Sequence, residues 1–138
     1  MPSPAFQFNA AGSASVLAHF QSKLHFETDC WDVHASLANG VADFVLLDVR
    51  SPDLYQRGHL PHAQNLPHGK IVASKMQAFA PDTRFVVYCA GPHCNGADKA
   101  AARLAALGLP VKLMIGGVTG WLDEGFALET PGAAAESA

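Results

Sequence analysis

Residues 84–107 read RFVVYCAGPHCNGADKAAARLAAL, and the character of the chain changes twice within this stretch. The apolar run Arg84–Cys89 follows a turn and is typical of a buried strand. From Gly96 to Leu107, small and apolar residues recur at helical spacing, and Gly108 then ends the pattern. We therefore predict a strand, a loop and a helix in succession, with Cys89 as the last residue of the strand.

Outward from this stretch, strand-like and helix-like patterns alternate along the chain. Apolar runs that predict further strands lie at residues 24–27, 44–48 and 111–115. Helical patterns lie at residues 13–22, from Ser51 onward, and at residues 119–124. A further helix is expected to begin at a cap at Thr28 or Asp29 and to end at Asn39-Gly40. Parallel strands need crossover connections, which helices supply. The alternation predicts the α/β class, with a mainly parallel central sheet of about five strands and helices on both faces.

The length of 138 residues suits one domain. We expect residues 13–130 to form it, because the alternating patterns lie within this range. Residues 1–12 carry proline, alanine and glycine and predict a flexible arm, and residues 131–138 predict a flexible tail. Hydrophobic residues make up 49% of the chain, which is enough for a core without metal or disulfide staples.

Composition and charge exclude several classes of partner. The formal net charge is −3, so neither nucleic acid nor an acidic membrane is an expected partner. No apolar run approaches the roughly 18 residues that a membrane span needs. The start of the chain, MPSP, lacks the charged and apolar regions of a signal peptide, and the 3 cysteines are irregularly spaced, unlike a secreted disulfide framework. We therefore expect a cytoplasmic, reducing setting.

The loop after the predicted strand has the features of an anion site with a reactive thiol. Ligands of parallel α/β sheets bind beyond the carboxyl ends of the strands, where Cys89 is expected. Backbone N–H groups of the loop can converge on one point, and the following helix adds a partial positive charge. Helix N-termini lower the pKa of cysteine and so favour the attacking thiolate, which makes Cys89 the candidate nucleophile. The candidate anion-binding loop comprises Ala90, Gly91, Pro92, His93, Cys94, Asn95 and Gly96.

The cysteines and the loop histidine also have alternative roles. On local sequence alone, Cys89 could be a small buried strand residue. Cys94 is a candidate resolving thiol for a disulfide or persulfide on Cys89, and it could equally be the nucleophile or a passive loop residue. His93 could lower the cysteine pKa when protonated, or be a solvated loop residue. Cys30 shares an apolar helix face with Val33 and is expected in the core.

Two further motifs flank the cysteine loop. The first consists of Leu47–Pro52 (LDVRSP), Tyr55 and Gly58–Pro67 (GHLPHAQNLP). The second consists of Gly116–Trp121 (GGVTGW), Gly125 and Glu129. With the strand that ends at Cys89 between these motifs, residues 24–130 resemble the rhodanese family of sulfurtransferases. The resemblance implies a single rhodanese-like domain in which Cys89 is the catalytic residue.

The resemblance also implies a reaction, the transfer of sulfane sulfur through a persulfide on Cys89. The donor would be a small sulfur-containing anion such as thiosulfate, or a persulfide, and the acceptor would be a thiol or cyanide. Neither a metal nor an organic cofactor is implied. Asp48 and Arg50 are expected to support the structure, the first by bonding backbone amides and the second by pairing with a carboxylate. The sequence is also compatible with a homodimer.

The loop departs from the family pattern, and this keeps rival functions open. It is longer than the common form and contains no arginine, which argues against thiosulfate as the donor. One alternative is a phosphatase or arsenate reductase with Cys94 as resolving thiol, although a loop arginine normally clamps an oxyanion. A second is a non-catalytic regulatory binding domain. A third is a zinc site of Cys89, His93 and Cys94, which would crowd the ligands into one loop.

Overall fold

The computed structural model describes residues 2–40 and 43–131. Within these residues the helices are α1 (Ser13–Phe26), α2 (Cys30–Ala38), α3 (Pro52–Arg57), α4 (Ala73–Met76), α5 (Gly96–Ala106) and α6 (Gly117–Asp123). The strands are β1 (Glu27–Thr28), β2 (Val45–Asp48), β3 (Gln64–Asn65), β4 (Phe85–Tyr88) and β5 (Val111–Met114). Short 3₁₀ turns lie at Pro4–Phe6 and His68–Lys70.

The strands form one parallel sheet in the order β1-β5-β4-β2-β3. β2 and β4 pair along their full length, from Val45 opposite Phe85 to Asp48 opposite Tyr88. Because all strands run the same way, their carboxyl ends share one edge, and Cys89 follows directly after β4 at that edge. The predicted α/β class and the five-stranded parallel sheet are confirmed.

Apolar side chains cover both faces of the sheet. Along β4, Phe85 and Val87 belong to the core on one side, and Val86 and Tyr88 belong to the core on the other, since successive strand residues alternate. The first core includes residues of α5, and the second includes residues of α2 and α6, so helices cover both faces as predicted. Cys89 continues the alternation on the α5 side, and the pleat therefore directs its thiol toward that helix.

Local signals at helix ends have the effects expected of them. Asp29 caps α2, because its carboxylate accepts a hydrogen bond of 2.9 Å from a backbone N–H of the first turn. Ser51 caps α3 in the same way at 3.4 Å, and Pro52 follows at the first helical position. Gly108 follows the end of α5 with a φ of 78°, a conformation that glycine adopts without a Cβ penalty.

The amino-terminal boundaries differ from the prediction. The predicted helix at residues 13–22 continues to Phe26, so the predicted strand at residues 24–27 is wrong, and β1 is only Glu27–Thr28. No glycine or proline interrupts this segment, and Lys23 pairs with Glu27 at 3.5 Å, one turn later. The helix therefore continues until the chain reaches the edge of the sheet.

Other differences concern short or terminal elements. β3 and α4 were not predicted, because segments of two and four residues are too short to carry a periodic pattern. The last helix begins at Gly117 rather than at Thr119. Val16, Leu17 and Phe20, predicted on one side of the first helix, are all exposed.

The ends of the chain bear on the predicted domain limits. Residues 2–12 are exposed throughout. The predicted tail, residues 131–138, lies outside the described residues except for Pro131. The flexible arm, the flexible tail and the limits 13–130 therefore stay predictions. Across residues 2–40 and 43–131, no helix has both the length and the apolar character that crossing a bilayer requires.

Candidate active site

The thiol of Cys89 lies at the carboxyl edge of the sheet, against the start of α5. Its residue is 6% exposed. A Cβ placed on Gly96, the first residue of α5, would come within 2.9 Å of Cys89 Sγ, so glycine is what lets the sulfur approach this helix end. Asn95, the capping residue, makes no side-chain hydrogen bond to the helix. The first N–H groups of α5 are therefore not capped by Asn95 at the end that the sulfur approaches.

Cys94 shares this site, because its sulfur is bonded to that of Cys89 in a disulfide. The two Cα atoms are 6.4 Å apart. A hydrogen bond of 3.1 Å from the Cys94 N–H to the Gly91 carbonyl closes the turn between the two cysteines. The structure thus brings together the two cysteines that the sequence assigns to one loop.

Helix α6 braces the cysteine loop from the other side. The Cys89 carbonyl accepts a hydrogen bond of 3.1 Å from the Val118 N–H. The Ala90 carbonyl accepts bonds of 3.0 and 3.1 Å from the N–H and the hydroxyl of Thr119. Gly117 has a φ of 58°, and a Cβ there would stand 2.5 Å from the Cys89 carbonyl oxygen. Gly117 of the second motif is therefore required for the close approach of α6 to the loop.

His68 lines the same cleft as the two cysteines, although the sequence did not single it out. The position that a Cβ on Gly96 would take is 3.5 Å from His68 Cδ2 and 3.5 Å from Cys94 Sγ. The imidazole Nδ1 is buried without a hydrogen-bond partner. The 3₁₀ turn after β3 carries this residue, whose N–H donates to the Val49 carbonyl at 3.2 Å. His93, the histidine predicted to modulate the loop, is exposed.

A buried ion pair holds the ends of β2 and β4 together. Asp48 is fully buried and accepts hydrogen bonds of 2.7 and 3.0 Å from the Arg50 guanidinium and one of 2.7 Å from the Tyr88 hydroxyl. The Arg50 backbone N–H also donates to this carboxylate at 3.0 Å. Arg50 donates further to the Gly58 carbonyl at 2.6 Å, and the Asn65 amide bridges the carbonyls of Asp48 and Arg50 at 3.0 Å each.

The ion pair with Asp48 occupies the guanidinium of Arg50. Burial disfavours the charge of Arg50, but the hydrogen bond and charge of Asp48 outweigh burial and raise the pKa of Arg50 above its ordinary value. Burial, together with the Asp48 charge, raises the pKa of Tyr88 well above its usual range. Arg50 therefore stays charged but has its charge compensated within the protein.

Two clefts reach the disulfide from opposite sides. The first, of about 370 Å³, has largely apolar walls that include Val49, Leu54 and Pro67. The second, of about 240 Å³, is bordered by the acidic residues Glu27 and Asp98. A larger cleft of about 510 Å³ lies at the amino ends of the strands, and no cysteine lines it. The two smaller clefts are therefore the routes by which a ligand would reach the sulfurs.

Neither of the two smaller clefts presents an uncompensated lysine or arginine side chain. In the part of the chain that the structure describes, Arg50 is the single lysine or arginine among their lining residues, and its guanidinium is bonded to Asp48. An anion in these clefts would therefore rely on backbone N–H groups and on the N-terminus of α5.

Cys30 is separate from this site. It is 5% exposed, and its thiol points at the carbonyls of Ile115 and Gly117 at 3.6 and 3.7 Å. Burial, with the charges of Asp29 and Glu124, raises the pKa of Cys30 to about 11. Its expected place in the core is confirmed.

The zinc hypothesis finds no ligand cluster to support it. Within residues 2–40 and 43–131, no group of three or more histidine, cysteine, aspartate or glutamate side chains is placed to hold a metal ion. The sulfurs of Cys89 and Cys94 are instead bonded to each other.

The fold and the site define a small α/β domain whose cysteine loop joins a central parallel strand to a helix. Within this class, the family model of the rhodanese-like domain matches residues 32–124. The chain therefore belongs to the rhodanese-like domain family, and the resemblance seen in the sequence motifs is confirmed.

Similar proteins include an enzyme and a regulator. The BH2092 protein of Bacillus halodurans has a TM-score of 0.83 and 34% identity, over 89% of this chain and 90% of that one. A thiosulfate sulfurtransferase from Pseudomonas aeruginosa has a TM-score of 0.62 and 26% identity, over 80% of this chain and 21% of that one. The HTH-type transcriptional regulator Rv0324 of Mycobacterium tuberculosis is 31% identical over 87 residues, which are 63% of this chain and 38% of the regulator. The chain thus spans well under half of that curated relative.

Proposed function

We propose that this domain is a sulfurtransferase that carries sulfane sulfur as a persulfide on Cys89. The observation that carries the proposal is the position of Cys89 Sγ, which Gly96 allows to lie against the first turn of α5. The N-terminus of a helix combines unpaired N–H groups with a partial positive charge and so stabilises a thiolate or a persulfide anion. The α5 helix is 11 residues long, enough for this effect.

The reaction has two displacement steps that balance without an oxidant. The Cys89 thiolate attacks the outer sulfur of a donor R–S–SH, the donor S–S bond breaks, and the thiolate R–S⁻ leaves. The outer sulfur of the new Cys89 persulfide is then attacked by an acceptor thiolate or cyanide, and the Cys89 thiolate leaves. Both steps are thiol–disulfide exchange chemistry, for which neither a metal nor an organic cofactor is needed.

The walls of the site favour a persulfide over thiosulfate as the donor. Thiosulfate carries two negative charges, and transfer of a charge into a partly buried site is costly without a partner. Arg50, the basic residue at the first cleft, is bonded to Asp48, and Val49, Leu54 and Pro67 line that cleft with apolar groups. An organic persulfide brings at most one negative charge on its reacting sulfur atoms and therefore suits these walls better.

The experiment is intact-mass analysis of reduced protein after incubation with glutathione persulfide. Cys94→Ser protein should gain one sulfur atom, and Cys89→Ser protein should gain none. Sulfur uptake by the Cys89→Ser variant would overturn the assignment of the nucleophile. Absence of uptake in both variants and in the unmodified chain would overturn the proposed function itself.

The phosphatase and arsenate-reductase alternatives need a cation for the bound oxyanion. Because the charge of Arg50 is compensated by Asp48, we expect no turnover of p-nitrophenyl phosphate or arsenate. Measurable turnover that Cys89→Ser abolishes would favour those alternatives.

A regulatory role is the second candidate function. The similarity to the regulator Rv0324 over 87 residues favours it, since such a domain would report the state of its thiols rather than produce a product. Repeated turnover separates the two: a transferase passes many sulfur atoms per chain to an added acceptor, whereas a regulatory domain stops after its own cysteines have reacted.

A further inference from the structure

We infer that Cys94 resolves the Cys89 persulfide, releasing hydrosulfide and leaving the Cys89–Cys94 disulfide, which a dithiol partner then reduces. The inference rests on the first step of the proposed function, the formation of the Cys89 persulfide, and names the class of reductant that restores the two thiols afterwards. The observation behind it is that the structure joins these two sulfurs, although the sequence left Cys94 between a resolving, a nucleophilic and a passive role.

The backbone of the loop suits the disulfide. The Cα separation of 6.4 Å lies within the usual range of about 4.4–6.8 Å for disulfides. Hydrogen bonds from α6 hold the carbonyls of Cys89 and Ala90, and the Cys94 N–H is bonded to the Gly91 carbonyl. A thiol held this close competes with free thiols at a high effective concentration.

The resolving step is balanced as follows. The Cys94 thiolate attacks the inner sulfur of the Cys89 persulfide, the bond between the inner and outer sulfurs breaks, and the outer sulfur leaves as HS⁻. The new bond joins Cys89 to Cys94, and the two cysteines have supplied the two electrons that convert sulfane sulfur to hydrosulfide. The proton of the Cys94 thiol passes to solvent or to the imidazole of His68, which lines the cleft that both cysteines share.

The burial of the two cysteines favours a dithiol as the reductant. Cys89 is 6% exposed, whereas Cys94 is half-buried, so an external thiolate has better access to the Cys94 sulfur. Attack there expels the Cys89 thiolate toward the N-terminus of α5, and the better-stabilised thiolate is the faster leaving group. The resulting mixed disulfide on Cys94 is broken fastest by a second thiol already attached to the reductant.

The third cysteine does not interfere with this chemistry. Cys30 donates to the carbonyls of Ile115 and Gly117 in the core, and its raised pKa of about 11 keeps it protonated near neutral pH. A change in the thiol count therefore reports on Cys89 and Cys94.

The first test is a single turnover without oxygen or added thiol. Reduced protein is mixed with glutathione persulfide, and released hydrosulfide and intact mass are followed together, with Cys89→Ser protein correcting for spontaneous release. We expect the unmodified chain to release one hydrosulfide per chain and to end two hydrogen atoms lighter. Cys94→Ser protein should keep the added sulfur and release none.

The outcomes separate the inference from the proposed function. If the unmodified chain retains its persulfide as Cys94→Ser protein does, the resolving role is overturned while sulfur uptake by Cys89 stands. If Cys94→Ser protein gains no sulfur and the unmodified chain releases no hydrosulfide, the proposed function itself is overturned. A disulfide that forms without a matching amount of hydrosulfide also overturns the resolving step.

The second test concerns the class of reductant. Dithiothreitol and glutathione are compared at equal thiol concentration as the reductant in multiple turnover with the unmodified chain. We expect dithiothreitol to sustain turnover at least about tenfold faster, because its second thiol is attached to the first. Equal rates would overturn the assignment of a dithiol partner.

Discussion

Replacing Asp48 by alanine should destabilise the domain severely, because it removes one partner of a buried ion pair. Asp48 is fully buried, and the side chain of its partner Arg50 is 8% exposed. Without the carboxylate, the guanidinium and the Tyr88 hydroxyl lose their hydrogen-bond acceptor inside the protein. The remaining partner, the Gly58 carbonyl, is a neutral acceptor and cannot compensate the charge.

The expected loss in the free energy of unfolding is about 3–5 kcal/mol, the usual result of breaking a buried pair by removing one partner. At about 4 °C per kcal/mol for a domain of this size, the melting temperature should fall by about 12–20 °C. The matched control is Asp43→Ala, which removes the carboxylate of the surface pair with Arg84. Those side chains are 67% and 59% exposed, and such pairs contribute about 0.2–1 kcal/mol.

The assay is urea unfolding followed by circular dichroism, with all proteins kept reduced so that the disulfide does not contribute. A loss below about 1 kcal/mol in Asp48→Ala, equal to that of the surface control, would refute the reasoning. Such a result would mean that water reaches Arg50 and replaces the carboxylate.

Three further predictions concern the site and the core. Gly96→Ala should slow persulfide formation about fivefold or more, because its Cβ would stand 2.9 Å from Cys89 Sγ and crowding of this kind costs about 1–3 kcal/mol. Gly69→Ala meets no atom within 4 Å and serves as its control, and equal rates in the two variants would contradict the prediction. His68→Ala should slow iodoacetamide alkylation of the reduced loop cysteines, since its imidazole lines their cleft and can accept a thiol proton; a rate equal to that of the unmodified chain would exclude this role. Cys30 should resist alkylation in the folded protein at neutral and mildly alkaline pH, because burial and nearby carboxylates raise its pKa to about 11, and peptide mass mapping that finds it labelled there without unfolding would contradict this.

The parts of the fold that could be predicted are those with local signals. The apolar runs of β2 and β4, the capping residue Asp29 and the helix stop at Gly108 all act through neighbours a few residues away. Boundaries without such a signal were missed: nothing between residues 13 and 26 ends a helix, so the predicted strand at residues 24–27 proved to be its last turn. β1 exists because two residues pair with β5 at the edge of the sheet, and that pairing involves residues about 85 positions away.

The candidate site also has parts that could be predicted from the sequence and parts that could not. The cysteine loop and its place after a central strand follow from residues 84–107, because the strand, loop and helix patterns are contiguous. The surroundings of the loop do not follow from this stretch. His68, in the turn after β3, lines the cleft of the two cysteines, and Gly117 of α6 lies against the Cys89 carbonyl.

Adjacent residues carried the information on the fold class and on the position of the cysteine loop, since periodicity and capping depend on spacing along the chain. The packing of distant segments settled that His68 lines the cleft of the two sulfurs, that α6 holds the carbonyls of the cysteine loop, and that Tyr88 joins the ion pair of Asp48 and Arg50. These contacts arise when the parallel sheet brings its carboxyl edge together from separate strands. No pattern within one segment records which side chains of other segments will meet there.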